Sequence, residues 1–288
     1  MFLNQISKTI LPKKIHFKIK FIYRKIRKFV LPRLNESAFR KLLNEKLKVT
    51  KGSVVFIHSS INNLSLSFPQ EKILSIILDE IGENGTVLFP CTHINIRAQE
   101  YLKSGGIFNV KRSPTVMGLL PDMARRHKNS YRSLHPTHSV VAIGHKAKEL
   151  TKNHHKSIYP FGNHSPYYKI VDYDAIIIGL GLNTGQCLSF VHCIEDKYGK
   201  DFPVKTYVDE IYEGLSIDYE GNKLFVKTLV PHPNPGRRKI TKYIKKYIES
   251  KIGFDFKHKG VKYFTLDSKK LFLQMDILTK KGITIYNP

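Results

Sequence analysis

Lys51-Gly52-Ser53-Val54-Val55-Phe56-Ile57-His58-Ser59-Ser60 opens the part of the chain that decides the fold. Residues 54–58 are a short apolar run that ends in the polar turn His58-Ser59-Ser60, the pattern of a buried strand. Residues 69–81 follow, with Ile73, Leu74, Ile76, Ile77 and Ile81 on one side and Gly82 at the end, which predicts a helix with a glycine stop. Thr86-Val87-Leu88-Phe89 is a second apolar run, halted by Pro90. The three pieces make a β-α-β unit. Both strands are nearly continuous in apolar residues, so they are expected to be parallel and covered on both faces.

Working outward, residues 117–127 read as a helix and Ser139-Val140-Val141-Ala142-Ile143 as a strand. Residues 175–181 read as a strand that enters the glycine-rich turn Gly179-Leu180-Gly181, where the backbone is expected to approach a ligand closely. Residues 204–212 are of β-forming type. Glu220-Gly221-Asn222 is a hairpin turn between strands at 215–219 and 224–230. The last sixty residues mix aromatics with lysine. In sheets of this kind ligands bind beyond the carboxyl ends of strands, which directs attention to the loops after Ile57, Phe89 and Ile178.

Composition sets limits on this reading. The 288 residues are 41% hydrophobic and 11% aromatic, enough for a sizeable core in one large domain or two small ones. Cys91, Cys187 and Cys193 lack CxxC spacing, so neither a disulfide framework nor a cysteine metal site is indicated and a reducing compartment is expected. No apolar run reaches the ~18 residues of a membrane span. These features place the chain in the cytoplasm.

The net charge of +25 is unevenly spread. Residues 1–34 hold ten Lys/Arg and no acid (+10), residues 35–222 hold 22 against 19 (+3), and residues 223–288 hold 16 against 4 (+12). A nucleic-acid binder would carry its positive surface on the central fold as well, so nucleic acid is disfavoured as a partner. Between Pro12 and Pro32, Ile15, Ile19, Ile22, Ile26 and Phe29 recur at helical spacing among lysines and arginines. Residues 1–34 are therefore expected to form a basic amphipathic segment set apart from a domain at 35–288. Residues 13–30 suit either packing on the body or attraction to anionic lipid at the inner membrane face.

Histidines at strand ends are the candidates for chemistry. His192 and Glu195 are three apart, which places both on one helix face; the pair would suit a general base, though a surface contact would have the same spacing. His135 and His138 have no carboxylate third ligand nearby, so no metal site is expected. His154-His155 reads as a solvated loop pair.

Taken in order, six segments resemble the antibiotic N-acetyltransferase family, whose best-known members are the aminoglycoside 3-N-acetyltransferases. They are Val55-Phe56-Ile57-His58-Ser59-Ser60, residues 85–92, Met117-Gly118-Leu119-Leu120, Arg132-Ser133-Leu134-His135-Pro136-Thr137-His138-Ser139, Gly162-Asn163-His164-Ser165-Pro166, and His192-Cys193-Ile194-Glu195. The R-S-x-H-P-x-x-S string with a downstream H-x-x-E is the specific part. The resemblance implies an α/β fold: a three-layer α/β/α sandwich around a mostly parallel sheet, distinct from the GNAT acetyltransferases. It implies acetyl-CoA as donor, an amino sugar as acceptor and no metal.

By the same resemblance His192 is the base, Glu195 orients it or the amine, and Ser189 supplies an oxyanion donor. Ser59, Ser60, Thr92, Arg132, Ser133 and His135 would line the CoA strip, while Glu195, Asp196 and His138 would face the acceptor. Two departures bear on the acceptor. The chain is basic where drug-modifying relatives are often acidic, and residues 184–188 before Ser189 are lengthened. They point to a nucleotide-linked or glycan-precursor amino sugar, with aminoglycoside resistance as the alternative and a non-catalytic nucleic-acid or membrane-surface binder as a second one. Oligomeric state is left open.

Overall fold

The structure is a computed structural model that describes residues 30–288 together with Ile15. The basic helix expected over residues 13–30 lies, but for Ile15 and Val30, outside the described residues. Strands are β1 (Val54–Ser59), β2 (Thr86–Pro90), β3 (Ile107–Asn109), β4 (Ser130–Arg132), β5 (Val140–Gly144), β6 (Ile176–Leu180), β7 (Tyr207–Ile217), β8 (Lys223–Pro231), β9 (Gly253–His258) and β10 (Val261–Asp267). Helices are α1 (Glu36–Lys41), α2 (Lys72–Ile81), α3 (Ala98–Lys103), α4 (Leu119–Arg126), α5 (Ala147–Thr151), α6 (Pro166–Lys169), α7 (Thr184–Cys187), α8 (His192–Tyr198), α9 (Ile240–Tyr247) and α10 (Ser268–Lys280).

The main sheet runs β4-β5-β2-β1-β6-β10-β9. β1 pairs in parallel with β2 on one side, Val55 opposite Val87, and with β6 on the other, Ile57 opposite Ile178. Side chains alternate between two fully buried faces. Val54, Phe56, Leu88 and Ile177 meet α6, α8, α9 and α10 through Tyr167, Cys193, Tyr243 and Phe272. Val55, Ile57, Val87, Phe89 and Ile178 meet α1, α2 and α4 through Phe39, Ile77 and Leu120. The expected three-layer sandwich is present, and its sheet is mixed: β5 runs antiparallel to β2, and β10 to β6. An apolar run reports burial on both faces, not direction, and β5 is as buried as β1.

A second, smaller sheet has the order β3-β7-β8. The hairpin turn forms as expected, with Asp218 Oδ1 accepting from the Glu220 and Asn222 amides at 3.0 and 2.8 Å and Gly221 at φ 93°. The β-forming run at 204–212 and the first hairpin strand are one continuous element, β7, with an irregularity between Tyr207 and Ile211. The lysine-rich last sixty residues hold α9, the β9–β10 hairpin and α10. The boundary drawn after residue 34 falls inside a packed segment: Leu34 is buried, its amide donates to Ser65 O at 2.9 Å, and its carbonyl accepts from the Ser67 amide. Leu34 belongs to the body.

Candidate active site

α8 begins directly after the 3₁₀ turn Ser189–Val191, and its first turn carries His192-Cys193-Ile194-Glu195. Cys193 and Ile194 are buried in the core, and that burial fixes the helix's rotation. The His192 and Glu195 side chains then meet, Nδ1 to Oε2, at 2.8 Å. His192 is 15% exposed and Glu195 only 2%. With its Nδ1–H donated to the carboxylate, the imidazole keeps its Nε2 lone pair for the open side.

Phe161 brings the other loops to this pair. Its ring lies 4.9 Å from His192 and 4.9 Å from His138. The His138 Nδ1 is 2.8 Å from Thr137 Oγ1, and the Thr137 carbonyl accepts from the Thr92 hydroxyl. The loop after β2 and the loop before β5 therefore converge on His192, in keeping with the carboxyl-edge rule. Because β5 is antiparallel to β2, with Pro90 opposite Val140, its entry loop lies at the carboxyl end of β2. Burial, with the nearby His192, pushes the His138 pKa down to about 3, which keeps that ring neutral.

Asp196 was expected at the acceptor, and the structure places it elsewhere. It is buried, its Oδ2 accepts from the Phe161 amide and its Oδ1 from the Tyr207 hydroxyl, both at 2.7 Å. Burial raises its pKa to about 8. Its work is to hold the Phe161 segment against α8. Glu195 is equally inaccessible: Oε2 is on His192 and Oε1 accepts from the Tyr286 hydroxyl at 3.1 Å, so it holds the imidazole and is not exposed to bind an acceptor.

Three residues expected on the CoA strip are interior. Arg132 is 3% exposed, donates from Nε to Ser139 Oγ at 3.1 Å, from Nη1 to Ser113 O at 2.5 Å and from Nη2 to Cys91 O, and packs over the Phe108 ring. Its guanidinium is taken up by the fold's own carbonyls, so no pyrophosphate reaches it. Ser133 accepts from the Val140 amide and bonds His154 Nδ1 at 2.8 Å. His135 Nδ1 accepts from the His138 amide at 3.1 Å, and no part of the ring is exposed. Nor is His154 a solvated loop residue: it is buried, with Nε2 2.8 Å from Pro160 O.

Ser59, Ser60 and Thr92 keep half-buried positions at strand ends. Ser60 bonds through its amide to Leu180 O and through its hydroxyl to Asn63. Gly181, at φ 79°, does admit a close backbone approach, but the approaching group is Ser60 O, 2.5 Å from where a Cβ would stand. Ser189 Oγ donates to Cys187 O at 3.3 Å, on the turn that leads into His192. His58 stands in β1 beside Ser59 and Ser60. It is buried between Phe56 and Phe264, burial lowers its pKa to about 3, and its Nε2 has no hydrogen-bond partner. Among the described residues no group of three or more His, Cys, Asp or Glu is placed to hold a metal ion.

The sequence model of the aminoglycoside 3-N-acetyltransferase family matches residues 56–271. The chain belongs to that family. Among curated relatives it is 25% identical over 212 residues, 67% of this chain and 74% of the other, to an aminoglycoside N(3')-acetyltransferase-like protein, YokD, of Bacillus subtilis. It is 24% identical over 198 residues, 62% and 69% of the two chains, to aminoglycoside N(3)-acetyltransferase III of Salmonella sp. Aminoglycoside acetyltransferase AAC(3)-Xa superposes with a TM-score of 0.75 over 94% of this chain and 99% of that one at 18% identity. AAC-IIIb, solved as a binary complex with CoASH, gives 0.72 over 89% and 100% at 19% identity. At such identities the structures share the fold, which agrees with the sandwich described above.

Proposed function

We propose that this N-acetyltransferase moves the acetyl group of acetyl-CoA to an amine of an aminoglycoside, with His192 as general base. The observation that supports it most is the 2.8 Å contact between a partly open imidazole and a buried carboxylate, in a chain of this family. In this reading the neutral amine attacks the thioester carbonyl and its proton passes to His192 Nε2. The carbonyl oxygen becomes an oxyanion, for which this reading takes the Ser189 hydroxyl, turned away from the Cys187 carbonyl it bonds in the free protein, as donor. Collapse re-forms the carbonyl and expels the CoA thiolate, which His192 protonates. Ser59, Ser60 and Thr92, at the carboxyl ends of β1 and β2, are the hydroxyls of the expected donor strip that the fold leaves half open.

The nucleotide-linked acceptor expected from the chain's positive charge gives way here. The curated relatives reported above are named for aminoglycosides, and the aminoglycoside alternative accounts for them directly. Replacing His192 with Ala is expected to lower turnover by about 100-fold or more while acetyl-CoA still protects against thermal unfolding. Thiol release from an aminoglycoside panel reads it, and an unaltered rate would remove His192 from the mechanism. The basic segment at 13–30 takes no part in this chemistry. Its proposed role is contact with anionic lipid, which predicts that the full chain, but not one beginning at residue 30, co-sediments with phosphatidylserine vesicles at low salt.

A further inference from the structure

Glu195 holds His192 with one oxygen, and its other oxygen leads out of the family-matched region altogether. Glu195 Oε1 accepts from Tyr286 OH at 3.1 Å, and the Tyr286 oxygen in turn lies 3.2 Å from Arg238 Nε. The family match ends at residue 271, so Tyr286 comes from a segment beyond it. That segment is held in place. Asn287 Oδ1 accepts from the Thr284 amide and hydroxyl at 2.9 and 2.6 Å, Asn287 Nδ2 donates to Gly282 O, and the Lys239 amide donates to Ile285 O at 2.7 Å. Ile285 is buried in the core beside α8.

We propose that Tyr286 is a positioning residue for the His192–Glu195 pair and that Arg238 supports its hydrogen bond. The Glu195 carboxylate only accepts, so the phenol donates to it; the guanidinium, which has donors and no acceptor, donates to the phenol oxygen from the other side and strengthens that polarity. The order is Arg238 to Tyr286 to Glu195 to His192 Nδ1–H. A carboxylate fixed at both oxygens cannot turn about its terminal bond, so the imidazole proton stays on Nδ1 and the lone pair stays on Nε2. Without the phenol, Glu195 has one anchor, and the two tautomers of His192 mix.

This inference rests on His192 being the base, but one arm of its test does not. In the full chain, Tyr286→Phe is expected to lower kcat about tenfold with KM for acetyl-CoA within about twofold. The ¹⁵N shifts of the His192 ring in the free protein, read without any substrate, are expected to move from a single Nδ1–H form to averaged values. Unchanged ring shifts in a folded Tyr286→Phe protein would overturn the relay, whatever the kinetics. Arg238→Met, at an exposed side chain, serves if the first variant does not fold; it is expected to shift the ring in the same direction by a smaller amount, and an unmoved spectrum there also overturns the proposal. A wild-type protein with a fixed tautomer and no acetyl transfer would sink the enzymatic reading and leave the relay standing.

Discussion

At Arg132 a full positive charge sits inside the protein, and among the described residues no carboxylate forms an ion pair with it. Its partners are the Cys91 and Ser113 carbonyls and the Ser139 hydroxyl, and these tie the loop after β2 and the segment after β3 to the start of β5. Lysine carries the same charge but a single nitrogen, which cannot answer three separated oxygens. Arg132→Lys is expected to cost about 2–4 kcal/mol in urea unfolding, because acceptors are stranded in a buried site. Acetyl-CoA affinity of the folded fraction should change little; a large loss of affinity at unaltered stability would return Arg132 to the donor site. Its misreading at the sequence level has a physical cause. The motif around an arginine does not say whether its fork meets a ligand's oxygens or the chain's own.

Among the elements, α7 has four residues and a demanding place, since the turn that bears Ser189 and His192 follows it directly. It does not stand alone: Asp255 on the edge strand β9 accepts from the Thr184 amide at 2.8 Å and from its hydroxyl at 2.6 Å. Asp255→Ala is expected to destabilise the protein by about 1–3 kcal/mol. It should also raise hydrogen exchange of amides 184–188 at least about tenfold; exchange as in the wild type would show that α7 needs no such anchor. What could be read in advance divides along the same line. β1, β2 and β6 were legible because both their faces are covered and their runs are nearly all apolar, and α2 because its buried apolar residues repeat at helical spacing. The β9–β10 hairpin was not, because Lys257, Lys259 and Lys262 at a half-exposed sheet edge mask its alternation. His192 and Glu195 were legible as one helical turn, whereas Tyr286 meets Glu195 across 91 residues that no local pattern links.

The whole molecule stores several ionisable groups in their neutral forms. Burial depresses the pKa of His58, His138 and His154 to about 3 and that of His93 to about 4, and holds that of His135 well below its ordinary value. The unfolded chain binds protons at these sites near pH 6.5 and the folded chain does not, so their stabilisation is complete above 6.5 and is lost as pH falls. Each contributes on the order of 1 kcal/mol per pH unit below that point. Asp196, raised to about 8, works with the opposite sign: the folded state holds its proton, and stability declines as pH rises from about 4 to 8. The histidines together outweigh Asp196 below 6.5, and Asp196 acts above it, which places the maximum near pH 6.5. Urea midpoints at pH 5, 6.5 and 8 should fall on both sides of the middle value, and a flat response from 6.5 to 5 would mean that these rings are hydrated.

Glu195 and Asp196 are neighbours in sequence, yet on a helix their side chains leave the axis about 100° apart. One finds Tyr286 and the base; the other finds Tyr207 and the Phe161 amide. Inserting a single residue within this turn would carry Glu195 into the surroundings of Asp196, and deleting one would carry Asp196 into those of Glu195, so in either case one of the two places loses its acid. A change of chain length is therefore expected to be tolerated outside the turn and not between positions 192 and 196.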